Sequence, residues 1–213
     1  MRINLINLER NPERLAEFKT VNGHLSDVER VSAVDGEKLD LGALAREGLV
    51  SADVLNTYTM GAVGLALSHF KLWDSAIASG EAVTIAEDDA IFNRDFETYA
   101  DEVMKTLPAD WDMIVWGFNF DLFLCFDMLP GVSTCLAQFE QDRLRVGIEA
   151  FQSQALSPRA FRLGWAFGTP CYSISAKGAQ ALRGKCIPLR PRLLSFPMGR
   201  RVAPFSAHYR TSE

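Results

Sequence analysis

Residues 81–92 read EAVTIAEDDAIF. Three consecutive carboxylates, Glu87, Asp88 and Asp89, follow an apolar run and precede a second apolar pair, Ile91 and Phe92. Carboxylates placed side by side repel, and their ionised forms need compensation. A divalent cation supplies it. Hard oxygen donors suit Mg2+ or Mn2+, above all where phosphate oxygens complete the shell. The plainer alternative is a solvated loop start that happens to hold three acids.

Other residues could join such a site. Asn7 and Leu8 end the first apolar run, where a nucleotide base or ribose usually lies in sheets of this kind. Arg10 and Arg14 stand one helical turn apart and could meet phosphate, or serve as surface helix charge. Asp35 precedes Gly36; it could accept ribose or uracil donors, or simply form an Asp-Gly turn. Ser68 and His69 sit inside an apolar helical stretch, where such residues are either packed and satisfied or line a pocket. Tyr172 and Ser175 read as structural.

These residues need elements to position them. The run 2–7 reads as a buried strand. Asn11 and Pro12 then open a helix whose Leu15, Phe18 and Val21 recur at helical spacing. Residues 28–34 read as a second strand, closed by Asp35-Gly36. Residues 37–58 are irregular or weakly helical. The span 59–80 is the strongest helix, capped by Thr59 and ended by Gly80, with Leu67, Phe70, Trp73 or Asp74, and Ile77 on one face. Gly61 and Gly64 cost helix stability and so point to a close backbone approach at its start. A strand at 82–86 follows. Next come a helix at 95–107, with Phe96, Tyr99, Val103 and Leu107 inward, and a strand at 111–117. Beyond it lie a hairpin candidate in the aromatic stretch 118–128, a strand at 171–175 and a short helix ended by Gly184. Strands alternating with helices predict an α/β fold, a mostly parallel sheet flanked by helices. The acidic triplet then lies beyond the carboxyl end of the third strand, where such sheets bind ligands.

The stretches INLERNPERLAEF, VSAVDG, GAVGLALSHFKLW, TIAEDDAIF and CYSISAKGAQAL occur together and in order. In that combination the chain resembles glycosyltransferase family 25, over residues 2–117 and more loosely over 165–183. The resemblance implies a GT-A fold, with a Rossmann-type sheet that binds a nucleotide sugar. It implies transfer of a sugar, galactose from UDP-galactose above all, to a glycan or glycolipid acceptor such as bacterial lipooligosaccharide or surface polysaccharide. It places the EDD triplet in the part of a DxD motif, with Asp89 and Glu87 or Asp88 holding Mn2+ or Mg2+ on the diphosphate. It implies inversion at the anomeric carbon, which needs a general base near the acceptor hydroxyl. Asp121 and Asp127 are candidates by position only, each more simply a loop acid. Phe118, Phe120, Phe123 and Trp165 could stack on an acceptor sugar, or pack in the core. One departure from the family pattern is that between Cys171 and Ser212 there is no acid. A relative that binds nucleotide or a partner without efficient turnover is therefore the alternative reading.

Composition narrows the rest. The chain has 213 residues, 48% of them hydrophobic and 23% charged, enough to bury a core without staples. Residues 1–170 hold 14 Lys/Arg against 26 Asp/Glu, while residues 171–213 hold 8 against one. The acidic body argues against nucleic acid as a partner. The basic, Pro- and Arg-rich segment 186–213 reads as an irregular appendage to a domain at 1–185, able to meet an anion or a membrane surface. No signal peptide or membrane span is visible. Four spaced cysteines read as reduced thiols, and the expected location is the cytoplasm, with peripheral contact at the inner face of the membrane. Receiver-type and haloacid-dehalogenase-type acid sites want acids after the first strand, where this chain reads NLERNP.

Overall fold

The N-terminal apolar run forms β1 (Ile3–Asn7), with Ile3, Leu5, Ile6 and Asn7 buried. Near-continuous burial is what a strand covered on both faces of its sheet requires. The structure is a computed structural model and describes residues 1–51, 53–54, 57–117, 123–138, 146–166, 168, 170–189 and 202–204; side chains at 123, 165, 166 and 202–204 are not described. α1 (Pro12–Val21) follows, with Pro12 in the first turn, where a missing N–H is harmless. Asn11 stands at the cap position, yet its side chain makes no capping bond. α1 returns the chain to β2 (Val28–Ser32), parallel to β1 and at the sheet edge. β2 is shorter than the 28–34 expected, and its half-exposed, charged Glu29 and Arg30 suit an edge.

A short helix, α2 (Leu41–Arg46), leads toward α3 (Met60–Ser79). Both expected ends of α3 are present: Thr59 Oγ1 accepts the Ala62 N–H at 3.2 Å, and Gly80 adopts the left-handed conformation at φ 74°. The buried face is Val63, Phe70, Trp73 and Ala76, so the apolar stripe is rotated from the expected Leu67 and Ile77, which are only partly buried. Phe70 and Trp73 each contribute about 1.5–3 kcal/mol by leaving water. α3 delivers β3 (Val83–Glu87), parallel to β1 on the side away from β2. α4 (Phe96–Thr106) buries Phe96, Ala100 and Val103 at helical spacing; Tyr99 and Leu107, expected inward, are only partly buried.

After β4 (Met113–Val115) the chain makes a hairpin, β5 (Phe123–Leu129) with β6 (Ser133–Gln138), as the aromatic stretch suggested, though shifted along the chain. α5 (Ile148–Gln152), β7 (Ala160–Ala166), β8 (Cys171–Ile174), α6 (Ala176–Cys186) and β9 (Val202–Pro204) complete the described elements. Gly184 does not end α6; the helix runs two residues further. The described strands form one sheet in the order β2-β1-β3-β8-β4-β9-β7-β5-β6.

The sheet is mixed where a mostly parallel one was expected. Among the described strands, parallel pairing is confined to β1–β2, β1–β3 and β4–β9. β8 enters antiparallel between β3 and β4, and the hairpin and β7 add antiparallel pairs beyond β9. The cause is connectivity: a tight hairpin permits only antiparallel neighbours, and β8 arrives with no crossover helix before it. Three residues of the basic C-terminal segment, Val202–Pro204, thus lie inside the sheet, paired with β4 and β7.

Helices cover both faces. α3 and α6 pack on one, around Phe70, Trp73, Ile85 and Tyr172. α1 and α4 pack on the other, around Phe18, Phe92, Phe96 and Trp116. The chain steps from β1 to β2 on one side, then from β2 across to β3 on the other. That reversal is a topological switch point at the carboxyl ends of β1 and β3, where sheets of this kind hold their ligand crevice.

Candidate donor site at the ends of β1 and β3

The glycine-containing motifs interlock to frame this crevice. A Cβ on Gly64 would meet the Val34 carbonyl at 2.5 Å and the Gly36 nitrogen at 2.8 Å. A Cβ on Gly36 would meet the Met60 carbonyl at 1.9 Å. Ser68 Oγ donates to the Gly64 carbonyl and accepts the Val34 N–H, both at 2.8 Å. The start of α3 therefore lies directly on the turn after β2. Gly64 makes the expected close approach; a Cβ on Gly61 would meet nothing nearer than 3.9 Å, although the Gly61 nitrogen lies 3.0 Å from where a Cβ on Gly36 would stand. Ser68, read as a pocket residue, is 1% exposed with its hydroxyl engaged in this joint. Its effect on the site is indirect, for it fixes the position of the next residue, His69.

The acidic turn divides across the sheet edge. On the α1 side, Arg14 Nη2 lies 2.5 Å from Asp88 Oδ1 and 3.5 Å from Asp89 Oδ2, so two consecutive carboxylates converge on one cationic nitrogen. Asn7 Nδ2 donates to Asp88 Oδ2 at 2.8 Å and to the Asn11 carbonyl at 3.1 Å. Asn7 Oδ1 accepts from Arg30 Nε at 3.0 Å. Asn7 is 1% exposed, so its amide holds Asp88 and presents nothing to a ligand. Arg30, which the sequence did not single out, is thereby part of the frame.

Glu87 faces the other way. Its Oε1 lies 3.6 Å from His69 Nε2 on α3. His69 Nδ1 lies 2.8 Å from the Tyr172 hydroxyl, which also accepts the Trp73 indole N–H at 2.7 Å. Burial pushes the Tyr172 phenol well above its usual value of 10.0; the Trp73 hydrogen bond opposes this, and the charge of Glu87 adds to it. Tyr172 and Trp73 were read as packing residues. The signal that links Trp73 to His69 is their i,i+4 spacing, which puts both on one helix face.

The turn itself is held from beneath. Asn22 Nδ2 donates to the Ala90 carbonyl at 2.9 Å, and its Oδ1 accepts the Phe92 N–H at 2.8 Å. Gln152 on α5 donates to the Phe92 carbonyl at 3.0 Å, and Asn93 donates to the carbonyls of Phe151 and Gln154. Residues 90–93 are buried without regular structure, and buried backbone groups there need partners of this kind.

The donor set fits a hard divalent cation. Asp88 and Asp89 already share one positive position, and both offer carboxylate oxygen. Among the described residues no three His, Cys, Asp or Glu side chains lie close enough to hold an ion unaided, so phosphate oxygens would have to complete the shell. The structure brings Asp88 together with Asp89 at Arg14, whereas Glu87 is paired with His69.

The remaining expected residues fall in three places. Asp35 lies at the turn after β2, its carboxylate 3.5 Å from Arg10 Nε and 3.8 Å from Lys38 Nζ while accepting the Glu37 N–H. Arg10 also pairs with Glu37 at 2.9 Å, which makes it surface charge beside the crevice. Leu8 follows β1 at the crevice mouth and accepts the Asn11 N–H on its carbonyl at 3.1 Å. Asp127 lies on β5, five strands from β3 or about 24 Å by strand spacing, and accepts from Thr134 Oγ1 at 3.2 Å. It does not join the acidic turn. Asp121, Phe118 and Phe120 lie outside the described residues, as do the side chains of Phe123 and Trp165.

Comparison with known proteins agrees with this architecture. Residues 1–189 match the family described as Glycosyltransferase family 25 (LPS biosynthesis protein). A Glycosyltransferase 25 family member of Aedes aegypti is 34% identical over 125 residues, 54% of this chain and 21% of that protein. The Probable inactive glycosyltransferase 25 family member 3 of Rattus norvegicus is 32% identical over 145 residues, 60% of this chain and 25% of its own length. The Inactive glycosyltransferase 25 family member 3 of Homo sapiens is also 32% identical over 145 residues, 60% and 24% respectively. The chain thus spans a quarter or less of the length of these curated relatives. With nearly nine-tenths of its length matched by the family pattern, the chain belongs to glycosyltransferase family 25.

Proposed function

We propose that this protein transfers a sugar from a nucleotide diphosphate donor, UDP-galactose first among those to test, onto a hydroxyl of a glycan or glycolipid. The observation that carries this reading is the convergence of Asp88 and Asp89 at the β1/β3 switch point of a family 25 domain. A Mn2+ or Mg2+ ion held there by Asp88 and Asp89 would draw charge from the leaving diphosphate. The chain's own groups do the rest. Asn7 and Arg30 fix Asp88, Arg14 balances the pair and offers a guanidinium to phosphate, and the buried amides below keep the turn rigid. A base near the acceptor completes an inverting displacement, and Asp127 is poorly placed for it.

The acceptor we favour is a bacterial lipopolysaccharide or related surface glycan, in keeping with the family's description. The basic segment 186–213 would then steer the protein to the inner face of an anionic membrane from the cytoplasm. Among the described residues no helix is long and apolar enough to cross a membrane.

Two observations favour a second reading, nucleotide binding without efficient turnover. Arg14 already balances the charge of Asp88 and Asp89, and matched mammalian relatives are named inactive. Release of UDP from UDP-galactose, with Mn2+ and a panel of glycan acceptors, separates the two. Acceptor-dependent release supports transfer. UDP binding with no release above the protein-free rate supports the second reading, and neither binding nor release contradicts both.

A further inference from the structure

We infer that Tyr172 is a positioning residue of the acidic turn: clamped by Trp73, it selects the hydrogen that His69 presents, and that hydrogen orients Glu87. The geometry admits two arrangements. Tyr172 has one hydroxyl proton, and the Trp73 N–H, which can only donate, already uses one of its lone pairs at 2.7 Å. In the first arrangement Tyr172 donates to His69 Nδ1 at 2.8 Å, and the ring carries its hydrogen on Nε2. In the second, His69 Nδ1 donates to the tyrosine, leaving a hydroxyl proton without an acceptor among the described residues, in a residue 2% exposed. Burying an unpartnered donor is costly, so the first arrangement wins on that ground.

The other side of the ring gives the same answer independently. His69 Nε2 faces Glu87 Oε1 at 3.6 Å, slightly beyond hydrogen-bond range. A hydrogen on Nε2 attracts that carboxylate, whereas a lone pair there would repel it. The strongly raised pKa of the phenol keeps Tyr172 a donor, which the first arrangement needs. The near-parallel stacking of the His69 and Tyr172 rings, with centroids 5.6 Å apart, further restricts the imidazole. A donor chain therefore runs Trp73 to Tyr172 to His69 to Glu87. It links α3 and β8 to the end of β3 and leaves the acceptor face of Glu87 directed by a group two residues removed. Its consequence for donor binding rests on the function proposed above, but the chain itself does not.

The test is nitrogen NMR of the metal-free, nucleotide-free full chain with labelled histidine, His69 being assigned by its loss in His69→Gln. The expected wild-type signal is a neutral ring protonated on Nε2 alone, and in Tyr172→Phe that single tautomer gives way to a mixture. A wild-type ring protonated on Nδ1, or on both nitrogens, overturns the inference. So does a Tyr172→Phe spectrum identical to wild type. Circular dichroism checks that the variant folds; if it does not, the wild-type tautomer decides alone. In Mn2+-UDP titrations Tyr172→Phe should bind about tenfold more weakly, the scale of outer-shell effects, because a Glu87 no longer held on the α3 side is free to turn toward Asp88 and Asp89. Unchanged affinity overturns the positioning role. Wild-type protein that binds no nucleotide contradicts the donor reading, while the tautomer comparison still tests the donor chain.

Discussion

Arg14 is the residue on which the charge balance of the acidic turn depends. Its Nη2 lies against both Asp88 and Asp89, so Arg14→Gln removes the cation that these two neighbouring carboxylates share. Because Arg14 is about one-third exposed, water screens part of the repulsion, and the expected loss is about 1–2 kcal/mol. Mn2+ should restore part of it, since an ion bound only by the folded state stabilises that state. Thermal unfolding with and without Mn2+ checks this: the ion should raise the midpoint of Arg14→Gln more than that of wild type. An equal rise in both would place the ion elsewhere. At this scale the sequence was informative about which acids matter and silent about their partners. The EDD triplet can be read directly, but the separation of Glu87 from Asp88 and Asp89 depends on α1 and α3 lying on opposite faces of the sheet. Ser68 misled for a related reason: a hydroxyl in a helix looks the same whether it lines a pocket or joins two backbones.

Among the elements, α3 carries the most structural information. Gly64→Ala would drive a methyl group into the Val34 carbonyl and the Gly36 amide, backbone atoms that cannot rotate away. The expected cost is about 2–4 kcal/mol, beyond ordinary overpacking. Gly184→Ala in α6 meets nothing within 4 Å and should stabilise by about 0.5–1 kcal/mol, as alanine does in a helix interior. Urea midpoints of the two variants should move in opposite directions. Helix α3 was legible because Thr59 and Gly80 mark its ends by local chemistry. The placement of β8 and β9 was not legible. Their positions inside the sheet depend on partners 60 to 90 residues away, antiparallel for Thr84 with Ser173 and parallel for Ile114 with Val202, which no local pattern encodes. The amide clamps from Asn22 and Gln152 escaped notice for the same reason: their partners, Phe92 and Ala90, are distant in sequence.

At the scale of the whole molecule, the covered sheet sets how stability responds to pH. Burial raises Cys171 well above 9.0, pushes Cys186 to about 11 and raises Tyr172 well above 10.0. Each group holds its proton more tightly folded than unfolded. Their contribution is therefore fully present below about pH 9 and is lost as pH rises through the folded values. Urea midpoints should be lower at pH 10.5 than at pH 8, and an unchanged midpoint would mean that these groups are not buried as described. The same topology makes the functional claim specific, because the crevice at the ends of β1 and β3 is the one place where the acidic turn, Arg14 and the switch point coincide. The most direct measurement is calorimetric titration of UDP and UDP-galactose into the protein with Mn2+ and with EDTA, repeated for Asp88→Asn and Asp89→Asn. The prediction is Mn2+-dependent binding that EDTA abolishes and that each substitution weakens at least tenfold. Binding indifferent to the metal, or unchanged in both variants, would contradict the assignment of the acidic turn as the donor site.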